Sequence, residues 1–348
     1  MKVARTYEGM ITLPVVDPDR RPDTTTIRDL NWYDWILVSF SGGKDSIALA
    51  LALRKMGVPA NRTVLMHQHV DGEPGVDPQF MDWPCTEGYC RAFAKATGLR
   101  LLFQWRHGGF HREMLKHNAL IAPVSFEHLD GGVGTAGGVR GKISTRRLFP
   151  QVTADLSKRW CSPSLKIDVA SIAINNEPRF KNARILFLTG ERRQESAARS
   201  KYAEMEQHRT HTKSRHVDHW RMVIDWTEEM VWNIMREFNV MPHPAYRLGW
   251  GRVSCLACIF GVPDQWASVR VIAPDLFNRI AEYERDFGKT IHKGKSVVDL
   301  ADRGKPYPEC YNPELVALAM GREYPAHLAL TDNWTLPPGA FKHCGGPN

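Results

Sequence analysis

Ser39-Phe40-Ser41-Gly42-Gly43-Lys44-Asp45-Ser46 lies between two stretches of different periodicity. Before it, Trp35-Ile36-Leu37-Val38 is a short continuous apolar run, the pattern of a buried strand. After it, Ile47-Ala48-Leu49-Ala50-Leu51-Ala52-Leu53 carries a helical pattern that closes at Met56-Gly57, where the glycine supplies a C-cap. The quoted segment is therefore a strand-to-helix turn holding two glycines and three serines. At a helix start the first N–H groups have no intrahelical acceptor, and the helix dipole adds positive potential. Gly42 and Gly43 let the backbone approach an anion closely, the serines offer hydroxyls and Lys44 offers charge. Together these features describe a phosphate cradle. The spacing is not the G-x-x-x-x-G-K-[ST] loop. It satisfies S-G-G-x-D-S from Ser41 to Ser46, with Asp45 at the acidic position.

The chain has 348 residues, enough for one large α/β domain and a smaller piece. No apolar run is long enough to cross a bilayer, and the first residues lack the apolar core of a signal peptide, so a cytoplasmic protein without a membrane partner is expected. The formal net charge of +8 suits a polyanionic partner such as a nucleotide or nucleic acid, and equally suits plain solubility. Seven cysteines in a reducing compartment point to metal or redox chemistry rather than disulfides.

Residues 1 to about 30 are rich in proline and arginine and read as an arm. A second strand, Thr63-Val64-Leu65-Met66-His67, runs on to Asp71, and a helix is expected over Thr86–Thr97, ended by Gly98. In a doubly wound sheet, ligands sit beyond the carboxyl ends of the strands, which places His67 near a bound nucleoside. Leu101–Trp105 reads as a third strand. In the loop-rich stretch 106–150, Gly132-Val133-Gly134-Thr135-Ala136-Gly137 satisfies G-x-G-x-x-G without the strand and helix that this fingerprint needs, and reads as a flexible loop or lid. Arg140, Lys142, Arg146 and Arg147 make it basic, which suits contact with a phosphate backbone.

Arg184–Leu188 reads as a fourth strand, ending at Thr189-Gly190-Glu191-Arg192-Arg193-Gln194-Glu195-Ser196 and continuing to Arg199. A glycine, acids and arginines at a strand end suit the far side of a phosphate loop: the arginines neutralise phosphates, and the acids hold Mg2+ or pair with the arginines. The four histidines between His208 and His219 match no compact metal pattern and read as a basic loop. Met222–Trp226 reads as a fifth strand, and Thr227-Glu228-Glu229 as the N-cap of a helix reaching about Phe238. Further helices are expected near Asp275–Phe287 and Pro313–Met320.

The motifs occur in an order that resembles the PP-loop ATP pyrophosphatases, enzymes that split ATP between its α and β phosphates and adenylate a substrate. The phosphate loop leaves the branch open. R-W-C-x4-K at Arg159 to Lys166, G-x-R-x-x-E-S at Gly190 to Ser196, and H-P-x-Y-x-x-G from His243, followed by C-x-x-C at Cys255 and Cys258, resemble the PAPS-reductase-like branch. Within it the chain is most similar to the sulfur-incorporating enzymes of Dnd- and Ssp-type DNA phosphorothioation.

The resemblance implies a Rossmann-like, doubly wound, mostly parallel sheet with a smaller helical C-terminal region. The expected boundaries are an arm over 1–30, an ATP-binding domain over 31–245 and a cysteine-containing region over 246–348. It implies ATP with Mg2+ among Ser39, Ser41, Gly42, Gly43, Lys44, Asp45, Ser46, His67, Gly190, Glu191 and Arg199. Lys44, Asp45, Lys166, Arg192 and Glu195 are the implied catalytic set. It further implies a [4Fe-4S] cluster on Cys161, Cys255 and Cys258 with Cys310 as fourth ligand, a cysteine desulfurase and other proteins of the modification system as partners, and DNA as the sulfur acceptor. A zinc ion would use the same four thiolates. The assimilatory reductases, or a sulfurtransferase acting on tRNA or a small nucleotide, are the rival. Their tail cysteine is loosely matched by Lys342-His343-Cys344-Gly345-Gly346, although here the histidine precedes the cysteine.

Overall fold

The computed structural model describes residues 27–253 and 255–342, together with two short strands that pair antiparallel, β1 (Thr6–Tyr7) and β2 (Ile11–Thr12). Most of the expected arm, and Cys344, lie outside the described residues.

The quoted stretch begins in β3 (Trp35–Ser39), whose Ile36, Leu37 and Val38 are fully buried. Ile36 and Val38 enter one apolar core and Leu37 the core on the other face, which is why the run shows no polar alternation. From Lys44 the chain forms α1 (Lys44–Lys55), which returns through β4 (Thr63–His69), α2 (Thr86–Thr97) and β5 (Arg100–Arg106). A short α3 (Gly109–Leu115) and a hairpin of β6 (Val124–Glu127) and β7 (Val133–Ala136) follow. After α4 (Asp168–Asn176) the chain crosses to the other side of β3 as β8 (Arg184–Leu188), then β9 (Met205–Gln207) and β10 (His216–Trp220).

The sheet has eight strands in the order β7-β6-β5-β4-β3-β8-β10-β9. The five central strands, β5 to β10 in that order, are parallel, and β6, β7 and β9 are antiparallel additions at the two edges. Strand order reverses between β3 and β8, so the crevice for a ligand opens at their carboxyl ends, where the phosphate loop lies. The fold is thus the expected mixed α/β sheet. The helices α5 (Glu228–Glu237), α6 (Pro244–Arg247), α7 (Pro263–Ile272), α8 (Pro274–Phe287), α9 (Val297–Arg303) and α10 (Pro313–Met320) complete the chain. One apolar core joins Phe80, Trp83 and Phe110 of the α/β part to Trp250, Trp266 and Ile280 of the helical part.

Two expectations are corrected. The G-x-G-x-x-G stretch is not a free loop: Val133–Ala136 is edge strand β7, paired with β6 across a turn in which Gly131 and Gly132 hold φ of +97° and +82°. Met222–Trp226 is a turn and not the fifth strand, which is His216–Trp220 in register with β8. Val223 and Ile224 are buried all the same, so apolar content marked burial there and not a ladder.

The crevice floor depends on Gly109, which starts α3 with φ +49° against the backbone of Asp71. A Cβ at this position would overlap the Asp71 carbonyl. The Asp71 carboxylate in turn accepts the N–H groups of Phe80, Met81 and Asp82 at 2.9–3.0 Å and fixes the segment after β4. Gly109→Ala is expected to lower the urea-unfolding free energy by roughly 2–3 kcal/mol or more, because strain at positive φ and a backbone overlap combine. An unchanged midpoint would show that α3 moves freely.

Candidate functional site

At the end of β3, the Phe40 N–H donates to Met66 O at 2.9 Å, and Phe40 O accepts from His67 Nδ1 at 2.9 Å. Gly42 then takes φ +74°, packed so closely on Cys90 and Tyr89 of α2 that a Cβ would lie 3.0 Å from Cys90 Sγ. Gly43 is the N-cap of α1 and has no side chain with which to cap it.

The loop's polar groups are internally paired in this conformation. Ser46 Oγ donates to Gly43 O at 2.9 Å and lies 3.3 Å from the Ser41 N–H, while the Gly43 N–H meets Ser41 Oγ at 3.3 Å. The Lys44 N–H donates to Tyr246 Oη at 3.0 Å, across 202 residues of sequence. The Lys44 ammonium turns into the protein, 3.3 Å from Gly251 O, 3.7 Å from Asp45 and 3.9 Å from Glu228, and the residue is only 4% exposed. Burial opposes its charge, but Tyr246, Asp45 and Glu228 outweigh burial and raise its pKa.

Opposite the loop, Gly190 closes on the Asp45 backbone, where a Cβ would stand 3.2 Å away. Arg192, 3% exposed, donates from Nε to Asp45 Oδ1 at 2.6 Å and from Nη1 to Gln194 at 2.8 Å. Burial pushes the Asp45 carboxyl up, while Lys44, Arg192 and Arg252 push it down and prevail, so it is ionised. Glu195 accepts the Arg192 N–H at 3.0 Å and pairs with Arg199. Glu191 lies 3.9 Å from Arg221. Beside it, Thr189 Oγ1 is 2.6 Å from His219 Nε2, and His219 Nδ1 is 3.0 Å from Glu206, which Arg221 also holds at 2.5 Å. Of the acids expected to hold Mg2+, Glu195 is paired with Arg199, whereas Glu191 Oε2 is buried without a hydrogen-bond partner.

Lys166 ends a turn at Pro163–Ile167, and its charge acts on Cys161, Cys255, Asp82 and His67. Burial and then Asp71 raise the Asp82 carboxyl to about 7 against Lys166. Burial lowers His67 to about 3, helped by His69, so its ring is neutral; its Nε2 is buried without a hydrogen-bond partner. Arg159 shares its field with Arg199, Arg252, Tyr202 and Cys161. Residues distant in sequence, at 159–166, 190–199 and 246–258, therefore converge on the phosphate loop.

The expected cysteine set is divided. Cys161 is raised by burial and then by Cys258, and Cys255 by burial, with Asp82 and Cys258 adding to it. Cys310 sits instead with Ser268, Glu309 and Tyr307, and burial pushes it to about 11. It belongs to a short turn, Pro308–Tyr311, and lies in the same apolar core against which Cys161 and Cys255 pack. Among the described residues no group of three or more His, Cys, Asp or Glu is disposed to hold a metal ion. In this arrangement the four thiols do not fit a four-ligand cluster or a tetrahedral zinc ion.

Tyr246, Arg252 and Asp82 belong to the site and carried no assigned role in the sequence reading. Tyr246 stood inside the H-P-x-Y-x-x-G motif and Arg252 after its glycines, whereas nothing in sequence marked Asp82. A surface depression lined by Pro308, Tyr311, Asn312, Pro313 and Glu314 contains none of the predicted site residues, so concavity alone does not lead to this crevice.

Residues 147–260 match the family described as the phosphoadenosine phosphosulfate reductase domain. The match takes in Cys161, Lys166, Gly190 to Arg199 and the C-x-x-C pair, and begins after the phosphate loop. A protein of Escherichia phage 186, described as an uncharacterized 37.8 kDa protein in the gpa 5′ region, is 30% identical over 148 residues. The shared stretch is 42% of this chain and 42% of that protein. These similarities support a relationship to the PAPS-reductase-like proteins and leave the reaction to be argued from the site.

Proposed function

We propose that this chain is an ATP pyrophosphatase that adenylates an acceptor oxygen for sulfur incorporation, with a DNA backbone phosphate as the acceptor. The observation that carries this reading is the meeting of the α1 N-terminus with the Arg192–Asp45 pair, with Arg252 also acting on Asp45 and, in turn, with Arg199 on Arg159. The triphosphate enters when the Ser41 and Ser46 hydroxyls rotate outward. Their contacts with loop N–H groups are 3.3 Å, long for hydrogen bonds, so phosphate oxygens replace them at little cost. Arg192 and Arg199 then face the pyrophosphate that leaves, and fixed cations at that position lower the barrier. Mg2+ arriving with the nucleotide would neutralise phosphate charge, and Glu191 and Glu195 are the acids that would hold it. Lys44 acts from beneath the loop, holding Gly251 and Glu228 in place.

A cysteine desulfurase is the proposed sulfur source. Because the four cysteines form no cage here, no step of the proposed reaction runs through a cluster. A second reading, reduction of a sulfonucleotide, draws on the family match over residues 147–260.

The test is incubation of the pure protein with Mg2+ and ATP labelled at the α phosphate, with and without duplex DNA. AMP and pyrophosphate are the expected products, and Gly42→Ala should weaken ATP binding by roughly tenfold or more, since a side chain at positive φ costs about 1–2 kcal/mol. ADP and phosphate would overturn the assignment. In a parallel incubation with phosphoadenosine phosphosulfate and a dithiol as the two-electron donor, sulfite release with oxidation of the dithiol, and no AMP from ATP, would favour the second reading.

A further inference from the structure

We infer that the segment Val139-Arg140-Gly141-Lys142-Ile143 is a nucleic-acid contact element, presenting two cations and an apolar pair to a duplex. This rests on the DNA-acceptor reading above and names the surface it needs. All five residues are exposed, Val139 by 81% and Ile143 by 63%, although both side chains are apolar.

The segment projects from an anchored base. On one side it follows β7, and Gly138 packs on Pro123. On the other, Ser144 exchanges backbone hydrogen bonds with Ala119 at 3.0 and 3.2 Å, Thr145 Oγ1 accepts the Asn118 N–H at 3.0 Å, and the Arg146 N–H donates to Lys116 O at 2.8 Å. Arg146 itself is withdrawn from the surface. Its guanidinium pairs with buried Glu113 at 2.8 Å and lies 4.3 Å from the Trp160 ring. Of the four cations expected to meet phosphate, Arg140, Lys142 and Arg147 remain exposed.

Topology aims this element. β6 is antiparallel to β5, and β7 is antiparallel to β6, so β7 runs with β5 and the central strands. Its carboxyl end, from which the tip emerges, lies at the same end of the sheet as the phosphate loop, four strands across from β3. The chain leaving the tip continues to Trp160 and Cys161, next to Lys166. A polyanion held on the tip is thereby led toward the crevice. Cations that neutralise backbone phosphates, beside small apolar side chains that enter a groove, form the pattern of groove-binding proteins.

The test uses the full chain, a fluorescent duplex and a salt series. Replacing Arg140, Lys142 and Arg147 by alanine should reduce the slope of log affinity against log salt by roughly two to three, about 0.9 per lost phosphate contact. Val139→Ser with Ile143→Ser should weaken binding several-fold and leave the slope unchanged. Arg140→Lys with Arg147→Lys should keep the slope. Circular dichroism and DNA-independent AMP formation report that the variants fold. A triple alanine variant within twofold of the parent in affinity and slope would overturn the inference. So would a tip that is needed for binding anionic phospholipid vesicles and not the duplex. Failure of the adenylation reading shows separately, as absence of AMP, and leaves the duplex titration readable.

Discussion

Arg192→Ala is expected to reduce pyrophosphate release from ATP by roughly 10²-fold or more and to destabilise the fold by roughly 3–5 kcal/mol, the usual range for removing one partner of a buried ion pair. Both effects follow from one geometry. Arg192 is 3% exposed and its Nε is 2.6 Å from Asp45, at the first turn of α1. Without the guanidinium, Asp45 keeps Lys44 at 3.7 Å as its near partner, and that ammonium already serves Gly251 and Glu228. Arg192→Lys restores charge without the planar fork that reaches Asp45 and Gln194 together, so it should recover stability only in part. Urea unfolding and single-turnover AMP formation read the two effects apart. A coupling energy near zero between Arg192→Ala and Asp45→Asn would show that the pair does not hold the loop.

The elements that sequence disclosed are those whose signal is local. α2 spans Thr86–Thr97 and stops at Gly98, with φ +69°, because a glycine C-cap is written in adjacent residues. β8 and α10 also occupy the expected residues. Thr227 caps α5 through its hydroxyl and the Met230 N–H at 3.2 Å. Strand His216–Trp220 was hidden because its polar side chains find partners across the fold: Asp218 accepts from Tyr33 Oη at 2.7 Å, and His219 sits between Thr189 and Glu206. Polarity there records distant hydrogen bonds and not exposure.

The candidate site divides along the same line. The S-G-G-x-D-S spacing announced a strand–loop–helix, and the glycine, acids and arginines from Gly190 announced the far side of that loop, each from a few consecutive residues. The direction of Lys44 depends on Gly251 and Glu228, and the role of Tyr246 on a backbone amide at Lys44. The surroundings of Cys310 depend on how the turn at Pro308–Tyr311 packs against Ser268. Spacing in sequence carries none of these long-range choices.

Acidification below about pH 6.5 is expected to unfold this protein well before its carboxylates are exhausted. Burial lowers His67, His69, His208 and His243 each to about 3, with His69, Arg91, His219 and His67 respectively adding to the effect. These rings are neutral in the fold and take a proton only on unfolding between their unfolded value of about 6.5 and about 3. The unfolded state binds more protons throughout that window, so stability is fully present above it and is lost as pH falls through it, by up to about 1.4 kcal/mol per histidine per pH unit. Asp82, raised by burial and Asp71 to about 7, runs the other way: its carboxyl is protonated in the fold, and stability falls as pH rises from the ordinary carboxylate range toward 7. Asp71 and Glu284, raised chiefly by burial, act in the same sense as Asp82 and moderate the slope. The histidines prevail because Asp45, Asp218 and Glu206, all held below the usual range by their cationic or hydroxyl partners, also lose stability toward acid. Urea midpoints at about pH 7.5 and about pH 5 should therefore differ strongly, and His67→Gln with His243→Gln should flatten the difference by close to half the four-histidine contribution. Equal midpoints at the two pH values, or an unaltered slope in the double variant, would show that these rings reach solvent and that the crevice behind the phosphate loop is not closed.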